Sequence, residues 1–325
     1  MSLEAVVQRL EKPFKQSELL EAIVTVMGKT GEKSGSREAV AAMQKAEKPL
    51  RVLVVEDHRV NQELALGILG MAGHQTALAH NGREAVDLVG RETFDVVLMD
   101  VQMPELDGIQ ATAEIRRREE GTGKHVPIIA MTAHAMSGDR EKCLEAGMDN
   151  YISKPIRAAT LLKMLQTIVP GGGEGEGAGA GEAPGALPGE ETEIFNREEA
   201  RRQCLGNEAL VERLVQSFLE SLPRTREVLQ MAVAQGDMSA LAKGAHALKG
   251  AAGSIEARRC QNAALVVERA GKDGDGSRSK EALERLWIEL DALEAVLRKM
   301  QDDRQPSGRT DGPPGSGKSL LRRDA

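Results

Sequence analysis

Aromatic side chains are scarce in this chain: one Trp, one Tyr and four Phe among 325 residues. Its cores must therefore be aliphatic, and 41% hydrophobic content supplies enough Leu, Val, Ile, Ala and Met for two ordinary domains plus linkers. Cysteine is also rare. Cys143, Cys204 and Cys260 are too few and too scattered for a disulfide framework or a zinc site, so reduced thiols and a cytoplasmic location are expected. No stretch approaches the roughly 18 apolar residues of a membrane span, and the start lacks the apolar core of a signal peptide, so no membrane contact is expected. Basic charge is in deficit, with 43 Lys and Arg against 50 Asp and Glu and a formal charge of -7. That balance speaks against nucleic acid as a partner.

What the chain does have is a set of apolar, strand-length runs that end on polar residues. Residues 95–104, Asp-Val-Val-Leu-Met-Asp-Val-Gln-Met-Pro, place Asp100 at a strand's carboxyl end, before Pro104 and Asp107-Gly108 turn the chain toward a helical pattern. Open α/β sheets bind ligands at that edge. Alone, Asp100 fits a helix cap equally well. The other strand ends decide between the readings. Arg51–Val55 is followed by Glu56-Asp57, Pro127–Met131 by Thr132, and Tyr151–Ser153 by Lys154. Three carboxylates on one edge would raise one another's pKa unless a hard cation such as magnesium were held among them. Lys154 and Thr132 can supply further charge and a hydrogen bond, which suits phosphoryl transfer to Asp100.

In this order the words Val-Glu-Asp-His-Arg-Val-Asn-Gln (55–62), Asn-Gly-Arg-Glu-Ala (81–85), Met-Asp-Val-Gln-Met-Pro-Glu-Leu-Asp-Gly (99–108), Ile-Ile-Ala-Met-Thr-Ala-His-Ala (128–135) and Gly-Met-Asp-Asn-Tyr-Ile-Ser-Lys-Pro (147–155) resemble the receiver domain of bacterial response regulators. The resemblance covers about 120 residues. It implies that Asp100 is the phosphoacceptor, that Glu56, Asp57, Asp100 and the Gln102 carbonyl hold Mg2+, and that Thr132, Tyr151 and Lys154 form the switch. His58 departs from the pattern, where relatives often have Asn, and a solvated surface imidazole is expected there.

Alternating strands and helical patterns from 50 to 169 predict a flavodoxin-like α/β domain, a parallel five-stranded sheet of order 2-1-3-4-5 with helices on both faces. Before it, residues 12–27 repeat at an offset of 142 the pattern that closes this domain, Lys12-Pro13-Phe14 matching Lys154-Pro155-Ile156. Residues 1–30 therefore look like the last helix of a preceding receiver, and 31–49 like a linker. Residues 170–193, rich in Gly, Ala and Glu, read as a flexible tether reaching roughly 25 to 30 Å.

Residues 194–300 are helical in pattern throughout and predict an antiparallel four-helix bundle. Asn196 with Glu199 makes a capping start, Pro223 is expected to bend a long helix, and Leu283, Leu286, Leu290, Leu293 and Leu297 form a stripe. On the bundle's third element, the apolar stripe Leu241, Ala245, Leu248, Ala252 and Ile255 leaves His246 off the core face, so exposure is expected. Lys249 lies a turn away. Gly250 and Gly253 cost about 1 kcal/mol each relative to alanine in mid-helix, and their small size would let another protein's acidic site reach the imidazole. The words His-Ala-Leu-Lys-Gly-Ala-Ala-Gly-Ser (246–254) resemble the histidine phosphotransfer (HPt) domain, which implies that His246 accepts a phosphoryl group and Lys249 offsets its charge. Glu256 stands where relatives often have Gly in the turn after this helix.

The polar tail, 301–325, reads as disordered. Within it Gly312 to Ser319 fits the phosphate-binding pattern GxxxxGKS, but Arg304–Asp311 is no strand and only six residues follow, so nucleotide binding is not expected. The two resemblances together imply a phosphorelay protein similar to the C-terminal part of a hybrid sensor histidine kinase, without an ATP-binding kinase domain. Its partners would be a histidine kinase and a downstream response regulator, with either direction of phosphate flow open. The competing reading is a scaffold whose phosphorylation sites are vestigial, against which the intact set Glu56, Asp57, Asp100, Thr132 and Lys154 argues.

Overall fold

A computed structural model describes residues 48–132, 137–168 and 193–303. The helix expected at 1–30, most of both linkers, and the tail beyond Asp303 with its glycine-rich motif lie outside those residues. The first domain runs β1 (Arg51–Val55), α1 (Arg59–Met71), β2 (Gln75–Ala79), α2 (Gly82–Arg91), β3 (Val96–Asp100), α3 (Gly108–Glu119), β4 (Ile128–Thr132), α4 (Ser137–Glu145), β5 (Asn150–Ser153) and α5 (Ala158–Ile168). All four pairings are parallel, in the expected order β2-β1-β3-β4-β5.

Helices on both sheet faces bury the central strands completely, which is why their sequences are near-continuous apolar runs. Alternate residues feed two cores. Leu53, Val55, Val97, Met99, Ile128 and Ala130 point toward one, with Ala85, Val86, Ala111 and Ile115 of α2 and α3. Val52, Val54, Val96, Leu98, Ile129 and Met131 point toward the other, with α1 and α5. The turn after β3 is tight enough that a Cβ on Gly108 would run into the carbonyl oxygen of Asp100, so only glycine lets α3 start there.

The second domain comprises a short α6 (Arg197–Gln203) and four long helices, α7 (Glu208–Gln235), α8 (Met238–Ser254), α9 (Arg258–Asp273) and α10 (Gly276–Asp302). The cap expected at Asn196 forms, its Oδ1 accepting from the Glu199 amide at 2.8 Å, and Asp237 Oδ1 caps α8 by accepting from the Ala240 amide at 2.8 Å. α7 continues as one helix through Pro223. The leucine stripe of α10 is buried, and the Arg226 guanidinium lies 5.2 Å from the centre of the Trp287 ring.

The two domains touch through α1. Its outer face lies against α7 and α8, and the α1/α5 core of the sheet is continuous with the bundle core. Gly67 is the close point: a Cβ there would sit 2.6 Å from Leu210 Cδ1, so the leucine fills the space the glycine leaves. Around it Ser217 donates to Glu63 Oε1 at 2.6 Å, and Arg59 pairs with Glu220 at 2.7 Å. The exposed Arg59 pair contributes about 0–1 kcal/mol. Burying a leucine is worth about 1.5–3 kcal/mol, so the apolar contact is the stronger of the two.

Glu256 occupies the turn between α8 and α9 with φ 58°, the left-handed region that favours glycine. It is also buried, and burial raises its carboxyl pKa while Arg258, 3.5 Å away, lowers it. Relief of the left-handed strain and of the buried carboxylate predicts that Glu256→Gly stabilises the bundle by about 1 kcal/mol. A thermal or urea unfolding comparison of the two proteins measures it.

Candidate functional site

Parallel pairing gathers the carboxyl ends of the strands on one edge. In register Val55 faces Met99, Asp100 faces Met131, and Thr132 faces Ser153, so the residues following β1 and β5 flank Asp100 at the end of β3. Carboxylate oxygens of Glu56, Asp57 and Asp100 come within 4.8 Å of one another. The Lys154 ammonium lies 2.6 Å from Glu56 Oε2 and 2.7 Å from Asp100 Oδ2. The Gln102 amide donates to Asp100 Oδ1 at 3.2 Å. Thr132 is buried where β4 ends, and Tyr151 is half-buried with the Arg140 guanidinium 5.4 Å from its ring centre. The sequence-selected set is thus assembled at one edge.

Its electrostatics are those of crowded carboxylates. Burial, opposed by Lys154 and reinforced by Glu56, pushes Asp100 up to about 8. Burial and then Glu56 push Asp57 up to about 6. Burial works against the Lys154 ammonium, but Asp100 and Glu56 more than offset it and hold its pKa above the ordinary lysine range. Three carboxylates share one ammonium, and the acceptor-only oxygen set is what a hard divalent cation takes. The residues therefore fit magnesium. His58 departs from its expected solvation: it is half-buried, its Nδ1 has no partner, and burial lowers its pKa.

A second cluster surrounds His246 on α8. Glu268, on α9 and 1% exposed, accepts from three donors: His246 Nδ1 at 3.0 Å, Lys249 Nζ at 2.6 Å and Lys272 Nζ at 2.6 Å. Burial alone would raise the Glu268 pKa, yet these hydrogen bonds hold it far below the usual carboxylate range. An ionised carboxylate only accepts, so Nδ1 carries the proton and Nε2 keeps its lone pair. Burial lowers the His246 pKa, Glu268 opposes it, and Lys249 lowers it further. Lys249 does not reach toward the imidazole as a free cation. It is buried and bound to the same carboxylate, with its own pKa lowered by burial.

The expected exposure of His246 is corrected, and the phosphoacceptor candidate Asp100 is covered as well. His246 keeps only 12% of its side-chain surface and Asp100 is 3% exposed. The docked domains and the Lys154 side chain cover what an isolated helix face or strand end would leave open. On the His246 face, Pro155 Cδ lies 3.5 Å from where a Gly253 Cβ would be, and the Asn61 amide 3.3 Å from that of Gly250. The glycines admit a close approach, as the sequence suggests, and here it is made by the chain's own Asn61, which bonds Glu56, and Pro155, which follows Lys154. Lys154 is among the groups that lower the His246 pKa. Glu268 escaped sequence reasoning because it lies 22 residues away on another helix, with no local pattern to mark it.

Family models match two stretches, a response regulator receiver domain at residues 52–166 and an Hpt domain at 213–296. The chain is a receiver domain followed by an Hpt domain. Both modules belong to phosphorelay signalling. It is 33% identical to the sensor protein GacS of Pseudomonas syringae pv. syringae over 77% of this chain and 28% of that protein. It is 30% identical to the signal transduction histidine-protein kinase BarA of Escherichia coli over 77% of this chain and 27% of that one. The receiver domain of sensor histidine kinase PA1611 from Pseudomonas aeruginosa, solved with a magnesium ion in its active-site cleft, is 44% identical over 37% of this chain and 97% of that one, with a TM-score of 0.34. The chain spans less than a third of the length of the curated relatives named here. Among the described residues no helix is long and apolar enough to cross a membrane.

Burial and Lys249 predict a neutral His246 at pH 7, and the Glu268 contact predicts that its proton sits on Nδ1. Nitrogen chemical shifts of the labelled imidazole check it. Glu268→Gln should release the ring to a tautomer mixture.

Proposed function

We propose that Asp100 takes a phosphoryl group from a kinase histidine, supplied by another protein or by another part of a longer one, and exchanges it with His246, which passes it to or from a downstream response regulator. One observation carries this reading: the Lys154–Pro155 turn, whose lysine pairs with Asp100, lies against the glycine face of the helix that carries His246. In the first step the donor's P–N bond breaks as an Asp100 oxygen forms a P–O bond. In the second that P–O bond breaks as His246 Nε2 forms a P–N bond, and the Nδ1 proton stays on the ring, held by Glu268. The resulting phosphoimidazolium is stabilised by the ionised Glu268, whose charge Lys249 and Lys272 keep in place. Acyl phosphate and phosphoimidazole are both energy-rich, so the exchange is reversible.

Glu56, Asp57, Asp100 and the Gln102 carbonyl would hold magnesium, which when bound screens the attacking carboxylate from the phosphoryl oxygens. Lys154 balances the remaining charge on the transferring group. Thr132 and Tyr151 serve as the switch, the threonine hydroxyl turning toward the acyl phosphate and the tyrosine repacking.

Incubation of the full chain with a phosphorylated kinase tests the assignment. Asp100→Asn together with His246→Gln should abolish labelling, as should chelation of the cation. His246→Gln alone should leave a base-labile label on Asp100 and stop delivery to a regulator. Onward delivery by His246→Gln at the parent rate would remove the Hpt role and leave the receiver standing.

A further inference from the structure

Asn61 has no role in the reading above, yet its buried side chain bonds the carboxylate cluster on one side and the His246 helix on the other. It lies in the first turn of α1 and is 5% exposed. Its Nδ2 donates to Glu56 Oε1 at 2.9 Å, on the carboxylate whose other oxygen meets Lys154. Its Oδ1 accepts from the Ser254 hydroxyl at 2.8 Å, across the domain interface, at the last residue of the helix that carries His246. Ser254 is itself 3% exposed, so neither partner has water as an easy substitute. Gly250 leaves the space: a Cβ there would lie 3.3 Å from Asn61 Nδ2, closer than ordinary contact.

We infer that Asn61 is a positioning residue that couples the carboxylate cluster of the receiver to the docking of the His246 helix. An amide has one oxygen and one NH2, and here the two ends are divided between the domains. Fixing the oxygen on Ser254 fixes the plane of the amide, and with it the direction from which Glu56 is held. A Glu56 held in one orientation binds a cation with less reorganisation, so docking strengthens cation binding. Linkage makes the effect reciprocal, so the cation strengthens docking by the same factor. The cation thereby favours the docked arrangement in which Asp100 and His246 face each other. The inference rests on the phosphoryl-exchange reading for its functional meaning, but the linkage is measurable without any phosphoryl group.

The test is a Mg2+ titration of the full chain, followed by amide chemical shifts, for the parent, Ser254→Ala, Asn61→Ala and the double variant. Ser254 lies in the other domain from the carboxylates, so a purely structural hydroxyl would not alter cation affinity. Ser254→Ala should weaken Mg2+ binding about threefold to tenfold, the range that one neutral hydrogen bond supports. The double variant should be no weaker than Asn61→Ala alone, because each removes the same link. Ser254→Thr, which keeps the hydroxyl, should restore binding. With Mn2+ in place of Mg2+, paramagnetic broadening of the amides at residues 246–254 reports docking directly, and it should diminish in Ser254→Ala. Parent-like Mg2+ affinity in a folded Ser254→Ala protein overturns the coupling. Additive losses in the double variant overturn it too. If the linkage appears but Asp100 and His246 exchange no phosphoryl group in the parent, the functional reading fails and the coupling remains.

Discussion

Lys154 is the charge on which the rest of the first domain's edge depends. Its ammonium is held 2.6 and 2.7 Å from two buried carboxylates, Glu56 and Asp100, with Asp57 at the rim. Without it, two acids would sit at the end of a fully buried parallel sheet with no compensating cation, and breaking a buried pair of this kind costs about 3–5 kcal/mol. With it, three carboxylates against one ammonium still leave two negative charges in excess, and that surplus suits a divalent cation. The strands are apolar and covered on both faces, so the charge cluster can exist only where the sheet ends.

The second domain resolves a similar conflict in the opposite sense. Glu268 is a buried carboxylate surrounded by three donors, two of them ammonium groups. The excess is positive, and it falls on the Nδ1 side of His246. That arrangement keeps the imidazole neutral and its Nε2 available, while presenting a surface that suits an acidic partner. Docking places an acid-rich edge against a helix whose small residues and net cationic surroundings complement it. The His246 pKa is lowered and that of Asp100 raised chiefly because burial disfavours a lone charge on either side chain.

Much of this was legible in the sequence, and the reasons are local. The strand runs around Val54, Leu98 and Ile129 are continuous because both faces are buried, and Glu56, Asp57, Asp100, Thr132 and Lys154 each follow or close such a run. The edge strand β2 is harder to see, because Gln75 and Thr76 are exposed and no apolar run marks it. The positions of Gly250 and Gly253 signalled a close approach to His246. Glu256 signalled an altered turn, and its φ of 58° is the strain that a missing glycine leaves.

Legible in the chain were β1, β3, β4 and β5, the residue types at their ends and the helix that carries the histidine, because each is set by a period or a run within one element. Tertiary structure alone decided what lies across from what. Glu268 reaches His246 from another helix, Leu210 fills the gap at Gly67, and Asn61, bonded to Glu56, meets Ser254 across a separation of 193 residues. It also decided that Asp100 and His246 are covered rather than open, since exposure depends on which surfaces meet. Such contacts leave no periodic trace in the chain, because a hydrogen bond between two surfaces constrains one residue on each and nothing between them.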